Sequence, residues 1–216
     1  MMSEFVPDWE RKARTGMSEA ILCEGKTFEQ IEIILKYSGD RRLLLTRLDK
    51  EKFSRIGNQL AEFLDYDPFS QTAFYGNVGT PECDGPVIVC AGTSDLHVAH
   101  EALRTLTFEG YSAQLIADVG IAGIWRLMQR IDEIRSFRVV IAVAGMEGAL
   151  FSVLAGLVDL PIIAVPTSVG YGVGAGGYVA LNSALASCAN GLVTVNIDNG
   201  FGAACAAVRI LQQKIK

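Results

Sequence analysis

Two side chains in this sequence pair a reactive type with a suggestive setting. Glu147 stands in VAGMEGAL (143–150), where an apolar strand-like run gives way to a helix-like one. In the first turn of that helix its carboxylate would be favoured by the helix dipole. Burial beside an apolar ligand would raise its proton affinity and make it a proton acceptor. An ordinary helix-start carboxylate is the competing reading, and the pattern leaves both open. Cys188 stands in LASCANGLVTVNIDNGFG (185–202), after polar Asn182 and Ser183 and just before Asn190-Gly191. Free cysteines are usually small core side chains, and Cys23, Cys83, Cys90 and Cys205 take that reading. Cys188 alone has the company of a reactive thiol, although nothing in the sequence shows a depressed pKa.

Other segments have the makings of an anion site. CAGTSDLHVA (90–99) places Gly92, Thr93, Ser94 and Asp95 in a turn leading into a helix, where free N–H groups favour phosphate. Simple capping by Ser94 or Asp95 explains the same residues. In VPTSVGYGVGAGGYVA (165–180), Gly172, Gly174 and Gly177 make a GxGxxG pattern with Asp198 about 20 residues on. Six residues separate Val165 from Gly172, however, and the segment does not open the fold. It reads better as a backbone-rich loop over a phosphate or base than as a dinucleotide fingerprint. His97 and His100 lie three apart on one helix without partner cysteines or an acidic cluster, so no metal site is expected. Trp125 and its apolar surroundings read as core.

The elements that must position these residues alternate regularly from Pro86 onward. PVIVCAG, SAQLIADVG, RVVIAVAG, LPIIAVPTS and GLVTVNI read as strands. Helices follow over DLHVAHEALRTLTFEG (closed by Gly110), IAGIWRLMQRIDEIRS, EGALFSVLAGLV, about 175–187, and about Gly202 to Ile215. Five β–α units with apolar strands predict a parallel sheet with helices on both faces. Ligands in such folds sit beyond the carboxyl ends of the strands. Residues 1–84 form a separate small domain and linker, and 85–216 the main domain. In the first, KTFEQIEIILKYSG is a helix ended by Gly39, RRLLLTRL a short strand, and DKEKFSRIGNQLAEFL a helix opened by Asp49. DYDPFSQTAFYGNVGTPECDGP reads as a turn-rich linker.

Composition narrows the function classes. The 216 residues are half apolar with a net charge of −5, which offers no footprint for nucleic acid or an anionic membrane. The charged start has no signal-peptide character, and no apolar run is long enough to span a bilayer. Five widely spaced cysteines without a CxxC pair fit a reducing, cytoplasmic setting. From Val139 to Ala207 there is no Lys, Arg or His, and the only charges are Glu147, Asp159 and Asp198. That suits a buried sheet centre and helices packed between subunits. Fifteen of the 22 glycines fall between Gly92 and Gly202, many directly after strands, where backbone can approach a ligand.

Taken together, AGTSD, the AGM turn and LPIIAVPTS resemble the aminoimidazole ribonucleotide carboxylase (PurE-type) superfamily. VAGMEGAL, VPTSVGYG and NIDNGFGA are similar to the LarB family within it, and CEGKTFEQI resembles the LarB N-terminal domain. The resemblance implies a flavodoxin-like, PurE-type three-layer sandwich with a five-stranded parallel sheet, plus a small, mostly helical α+β N-terminal domain. It also implies carboxylation of nicotinic acid adenine dinucleotide at ring carbon 5 with CO2, and hydrolysis of the phosphoanhydride to release AMP. The product is the pyridinium-3,5-biscarboxylic acid mononucleotide that begins nickel-pincer nucleotide synthesis.

By this resemblance Cys188 is the nucleophile and Glu147 the proton-handling carboxylate, both facing one pocket at the carboxyl edge. Substrate would be held by Gly92, Thr93, Ser94 and Asp95, by Asp118, Val119 and Gly120, and by Ala144, Gly145 and Met146. Thr167, Ser168, Val169, Gly170, Tyr171, Gly172 and Asp198 would complete the binding set. No tightly bound cofactor is expected, although Mg2+ could accompany the substrate diphosphate. Assembly would be a homo-octamer. The purine enzymes use a histidine in the loop after the second strand, and ADVGIAG (117–123) has none. An aminoimidazole ribonucleotide carboxylase or mutase, and a non-catalytic dinucleotide-binding module, are the alternatives.

Overall fold

A computed structural model of the chain describes residues 5–213. The chain divides into two units, Met1–Thr80 and Pro81–Lys216. The first contains α1 (Arg11–Thr15), β1 (Ala20–Leu22), α2 (Phe28–Ser38), β2 (Leu43–Thr46), α3 (Lys50–Arg55), α4 (Asn58–Ala61), β3 (Leu64–Asp67) and β4 (Thr72–Tyr75). Its sheet runs β1-β2-β4-β3, with β1 and β2 parallel and the other pairs antiparallel. Thr27 and Gln30 form a capping box at the start of α2, and Asp49 caps α3 by accepting from Lys52 N–H.

Two expectations for this unit need correction. The segment read as a linker holds most of the β3–β4 hairpin, and every residue of β4 is buried in the sheet interior. The turn-forming residues belong to a tight loop: Asp67 accepts from the N–H groups of Phe69 and Ser70, and Gln71 takes φ +53°. The single helix opened by Asp49 is two, broken before Gly57, whose N–H donates to Glu32.

The second unit contains β5 (Cys83–Cys90), α5 (Leu96–Glu109), β6 (Tyr111–Ile116), α6 (Ile124–Met128), α7 (Ile131–Arg135), β7 (Val140–Ala144), α8 (Ala149–Ala155), β8 (Ile162–Pro166), α9 (Tyr178–Leu185), β9 (Leu192–Thr194) and α10 (Gly200–Leu211). Short 3-10 turns occupy Thr93–Asp95, Ile121–Gly123 and Gly172–Gly177. The five strands are all parallel, ordered β6-β5-β7-β8-β9, which is a flavodoxin-like sheet. Residues 214 and 215, the expected end of the last helix, lie outside the described residues. The expected helix over 121–136 is broken into α6 and α7.

Burial explains the three layers. Central strands β7 and β8 are buried at every position, as strands covered on both faces must be. Val87, Val89, Val140, Ala142, Ile162 and Ala164 face one way and pack with Leu127, Ile134, Phe151, Leu154, Ala180 and Ala184 of α6–α9. The alternate residues face α5 and α10, which pack tightly on each other because Gly200 lets their backbones meet. A Cβ at 200 would lie 2.4 Å from the Val98 carbonyl oxygen and 2.9 Å from Ala102 N. Gly200→Ala is therefore expected to lower stability by about 1–3 kcal/mol; chemical denaturation of the variant checks this.

Candidate active site

Loops 91–95, 117–123, 145–148, 167–177 and 195–199 gather at the carboxyl ends of the five strands. Asp95 ties three of them together. Its side chain is buried, at 4% exposure, instead of capping the surface end of α5. One carboxylate oxygen accepts from the Thr167 hydroxyl at 2.5 Å, and the other accepts from Gly92 N–H at 3.0 Å. Gly145 N–H faces the same carboxylate and helps to stabilise its charged form. Burial pushes the Asp95 carboxyl up, while the bonds from Thr167 and Gly92 pull the other way.

The turn that carries Glu147 is fixed from both sides. A Cβ at Gly145 would come within 2.2 Å of the Val169 carbonyl oxygen and 2.6 Å of Thr167 Oγ1, so glycine alone permits this approach. Met146 N–H donates to Val169 O at 2.8 Å. Met146 and Gly148 both take left-handed φ, +54° and +64°. Glu147 between them is exposed, and α8 begins only at Ala149. The expected burial of Glu147 and its place in the first helical turn are both corrected. The tight turn holds it one residue ahead of the cap.

The remaining loops join this frame. Asp198 Oδ1 accepts from Ser168 N–H at 2.7 Å, and Asp198 N–H donates to Pro166 O at 2.8 Å. Asp198 thus clamps the loop after β8, and Gly177 presses against Thr167 O and Ile197 beneath it. Gly172, Gly174 and Gly177 lie within 3-10 turns that fold back toward Met146, not in a strand–turn–helix fingerprint. Val119 N–H donates to Cys90 O, and Gly120 lies against Ala91, which seats the 118–120 loop beside the Gly92–Asp95 turn. Gly92–Asp95, Asp118–Gly120, Ala144–Glu147, Thr167–Gly172 and Asp198 therefore share one edge of the sheet. No group of three or more His, Cys, Asp or Glu that could hold a metal ion occurs among the described residues. His97 Nδ1 lies 3.0 Å from Ser94 O.

Cys188 is not at that edge. It lies between α9 and β9, four residues before Leu192, which pairs with Ile162 at the start of β8. Glu147 follows the end of β7, whose five residues rise roughly 13 Å along the strand direction. Within one chain the topology sends the thiol and the carboxylate toward opposite ends of the sheet, contrary to the single-pocket expectation. The thiol is nonetheless exposed, and the Ser187–Ser152 hydroxyl contact at 2.8 Å anchors its loop to α8. Cys23 and Cys90 are buried, and burial pushes both thiols up to about 12. Cys83 is exposed and Cys205 half-buried, so the core reading fails for Cys83.

Two residues depart from the sequence reading in ways that matter for the site. Trp125 is 61% exposed and not core, because α6 is a single short turn at the sheet edge. Arg126, which the sequence reading passed over, ion-pairs with Asp118. Its place just beyond the glycine-bearing ADVGIAG loop was the available signal.

Thr167→Val removes the buried hydroxyl that Asp95 accepts from, and is expected to cost about 1–3 kcal/mol in denaturation experiments. The raised Asp95 carboxyl also sets a pH dependence. Its proton is held more tightly in the folded chain, so its contribution turns against folding as pH rises from 3.8 through the raised value. The melting-temperature difference between wild type and Asp95→Asn should accordingly favour wild type more at pH 4 than at pH 7.

Comparison with known proteins accords with this arrangement. Residues 87–216 match the family model described as AIR carboxylase, and residues 4–77 match the LarB/PurE-like N-terminal domain. An uncharacterised protein of Methanocaldococcus jannaschii is 38% identical over 214 residues, covering 91% of this chain and 79% of that protein. The five-stranded parallel sheet, the loops gathered at its carboxyl edge and both domain matches agree: the chain belongs to the AIR carboxylase family, as a LarB-like member with a PurE-like carboxylase domain.

Proposed function

We propose that this carboxylase-family enzyme acts on nicotinic acid adenine dinucleotide, carboxylating ring carbon 5 with CO2 and hydrolysing the phosphoanhydride to release AMP. The observation that carries the reading is the pairing of an exposed cysteine with a carboxyl-edge site whose 117–123 loop holds no histidine. A site without that histidine lacks the group the purine carboxylases use, and an exposed thiol supplies a different chemistry. A pyridinium carbon is too electron-poor to attack CO2. Thiolate addition to a neighbouring ring carbon sends an electron pair into the ring, neutralises the ring nitrogen and leaves carbon 5 enamine-like and nucleophilic. Carbon 5 then bonds to CO2, Glu147 takes the carbon 5 proton, and departure of the Cys188 thiolate restores aromaticity. Water attack on the diphosphate releases AMP. Mg2+ carried by the substrate would offset the charge of the diphosphate.

We propose further that the reaction is shared between subunits, because in one chain the two reacting side chains lie toward opposite ends of the sheet. Around the Cys188 loop, α9 and β9 expose Tyr178, Leu185 and Val193, and the loop before α9 exposes Tyr171 and Val173, the latter 92% exposed. β9 is also an unpaired sheet edge. Such apolar surface favours burial against another copy. In the homo-oligomer, an octamer by family resemblance, the Cys188 loop of one copy reaches the Glu147 turn of its neighbour. The apolar 139–207 segment then lines a dry pocket that keeps water from competing with CO2.

Wild-type enzyme given this dinucleotide and labelled bicarbonate should release AMP and a labelled dicarboxylate. Cys188→Ala and Glu147→Gln should each lose carboxylation by at least a hundredfold. Mixed assemblies of the two inactive variants contain sites with both residues intact and should regain activity. Full activity in Cys188→Ala would sink the mechanism, and no recovery on mixing would sink the shared site.

A further inference from the structure

The five carboxyl-edge loops carry four carboxylates, Asp95, Asp118, Glu147 and Asp198, and no Lys, Arg or His. Among the described residues of the helices that leave those loops, the first turns add His97 and Arg126. A phosphoanhydride entering this edge therefore meets mostly negative charge. Arg126 is the one cation there that stays charged at every physiological pH.

Its geometry is unusual for a purely structural arginine. Nη1 pairs with Asp118, but Nε is buried and has no hydrogen-bond partner. Nε–H and one Nη2–H point the same way and make the fork that meets an oxyanion with two parallel bonds. That fork lies over Gly123: a Cβ there would be 2.9 Å from Nε and 3.0 Å from Nη2. Glycine thus leaves the guanidinium room to lie flat against the loop and to swing from it. Both partners of the ion pair are partly exposed, 32% and 53%, so solvent screens the pair and it opens readily. A buried donor without an acceptor also disfavours the resting pose. The neighbouring 118–120 loop is seated on Cys90 and Ala91, immediately before the Gly92–Asp95 turn.

We infer that Arg126 is the oxyanion-binding residue of this edge, held by Asp118 until a diphosphate arrives and then turned to grip it through the Nε–Nη2 fork. The inference rests on the proposed phosphoanhydride substrate. Asp118, with left-handed φ of +58°, acts as the resting counter-ion.

Calorimetric titration of the full chain with inorganic pyrophosphate tests this apart from turnover. Arg126→Gln should weaken pyrophosphate binding at least tenfold with an unchanged melting temperature. Arg126→Lys should recover only part, because an ammonium is a point charge without the fork. Asp118→Asn should bind as tightly as wild type or tighter. In turnover of the dinucleotide, Arg126→Gln should raise KM tenfold or more with kcat within threefold. Equal pyrophosphate binding by wild type and Arg126→Gln, or no binding by wild type, would overturn the assignment. A tenfold loss of pyrophosphate binding in Asp118→Asn would overturn the counter-ion role. If pyrophosphate binding depends on Arg126 while no AMP is released from the dinucleotide, Arg126 stands and the proposed reaction falls.

Discussion

The arrangement of the carboxyl edge depends on one buried carboxylate. Asp95 receives the Thr167 hydroxyl and Gly92 N–H, with Gly145 N–H facing the same carboxylate, and so joins loops that follow three different strands. A buried carboxylate persists only when its oxygens are satisfied, and each of these partners is itself fixed by backbone. Satisfying Asp95 therefore sets the distance between the first loop and the loops after β7 and β8. Gly145 is the geometric counterpart, since any side chain there would strike Val169 and Thr167. The Glu147 turn inherits its position from that contact.

A second constraint is electrostatic. The central strands and the loops around them contain almost no cations, which keeps the interior of the sheet apolar and the edge negative. In the proposed reaction, phosphate recognition falls to backbone N–H groups and to the few cations at the margin. Charges shielded from water interact more strongly than charges in it, so in the proposed reaction a single arginine has a large effect there. The same lack of charge gives the α9–β9 face its apolar character, and this is why assembly and chemistry are linked in the proposed mechanism. In that mechanism a subunit with Glu147 at one end of the sheet and Cys188 toward the other relies on a neighbouring copy to bring the two groups together.

Much of the main domain was legible from local pattern. The alternation of apolar strands and glycine-ended helices fixed the parallel sheet and identified the edge where its loops gather, because periodicity reports how each segment buries one face. The loop that carries Glu147 and the Gly92–Asp95 turn were placed at that edge this way. The N-terminal unit was less legible. Its β3–β4 hairpin is rich in turn residues, and local composition does not distinguish a tight hairpin loop from a linker.

The sequence by itself determined the order of elements, the edge that carries the site loops, the charge-poor centre and the residue types able to act as thiol nucleophile and carboxylate base. Tertiary structure alone decided that Asp95 is buried and not a surface cap, that Trp125 is exposed, that Arg126 faces Asp118, and that Cys188 lies away from Glu147. The physical reason is range. Periodicity is a property of neighbouring residues, whereas the Asp95–Thr167 bond spans 72 positions and the Glu101–Phe201 bond spans 100. Such contacts depend on how strands are ordered in the sheet, and that order exists only once the chain has folded.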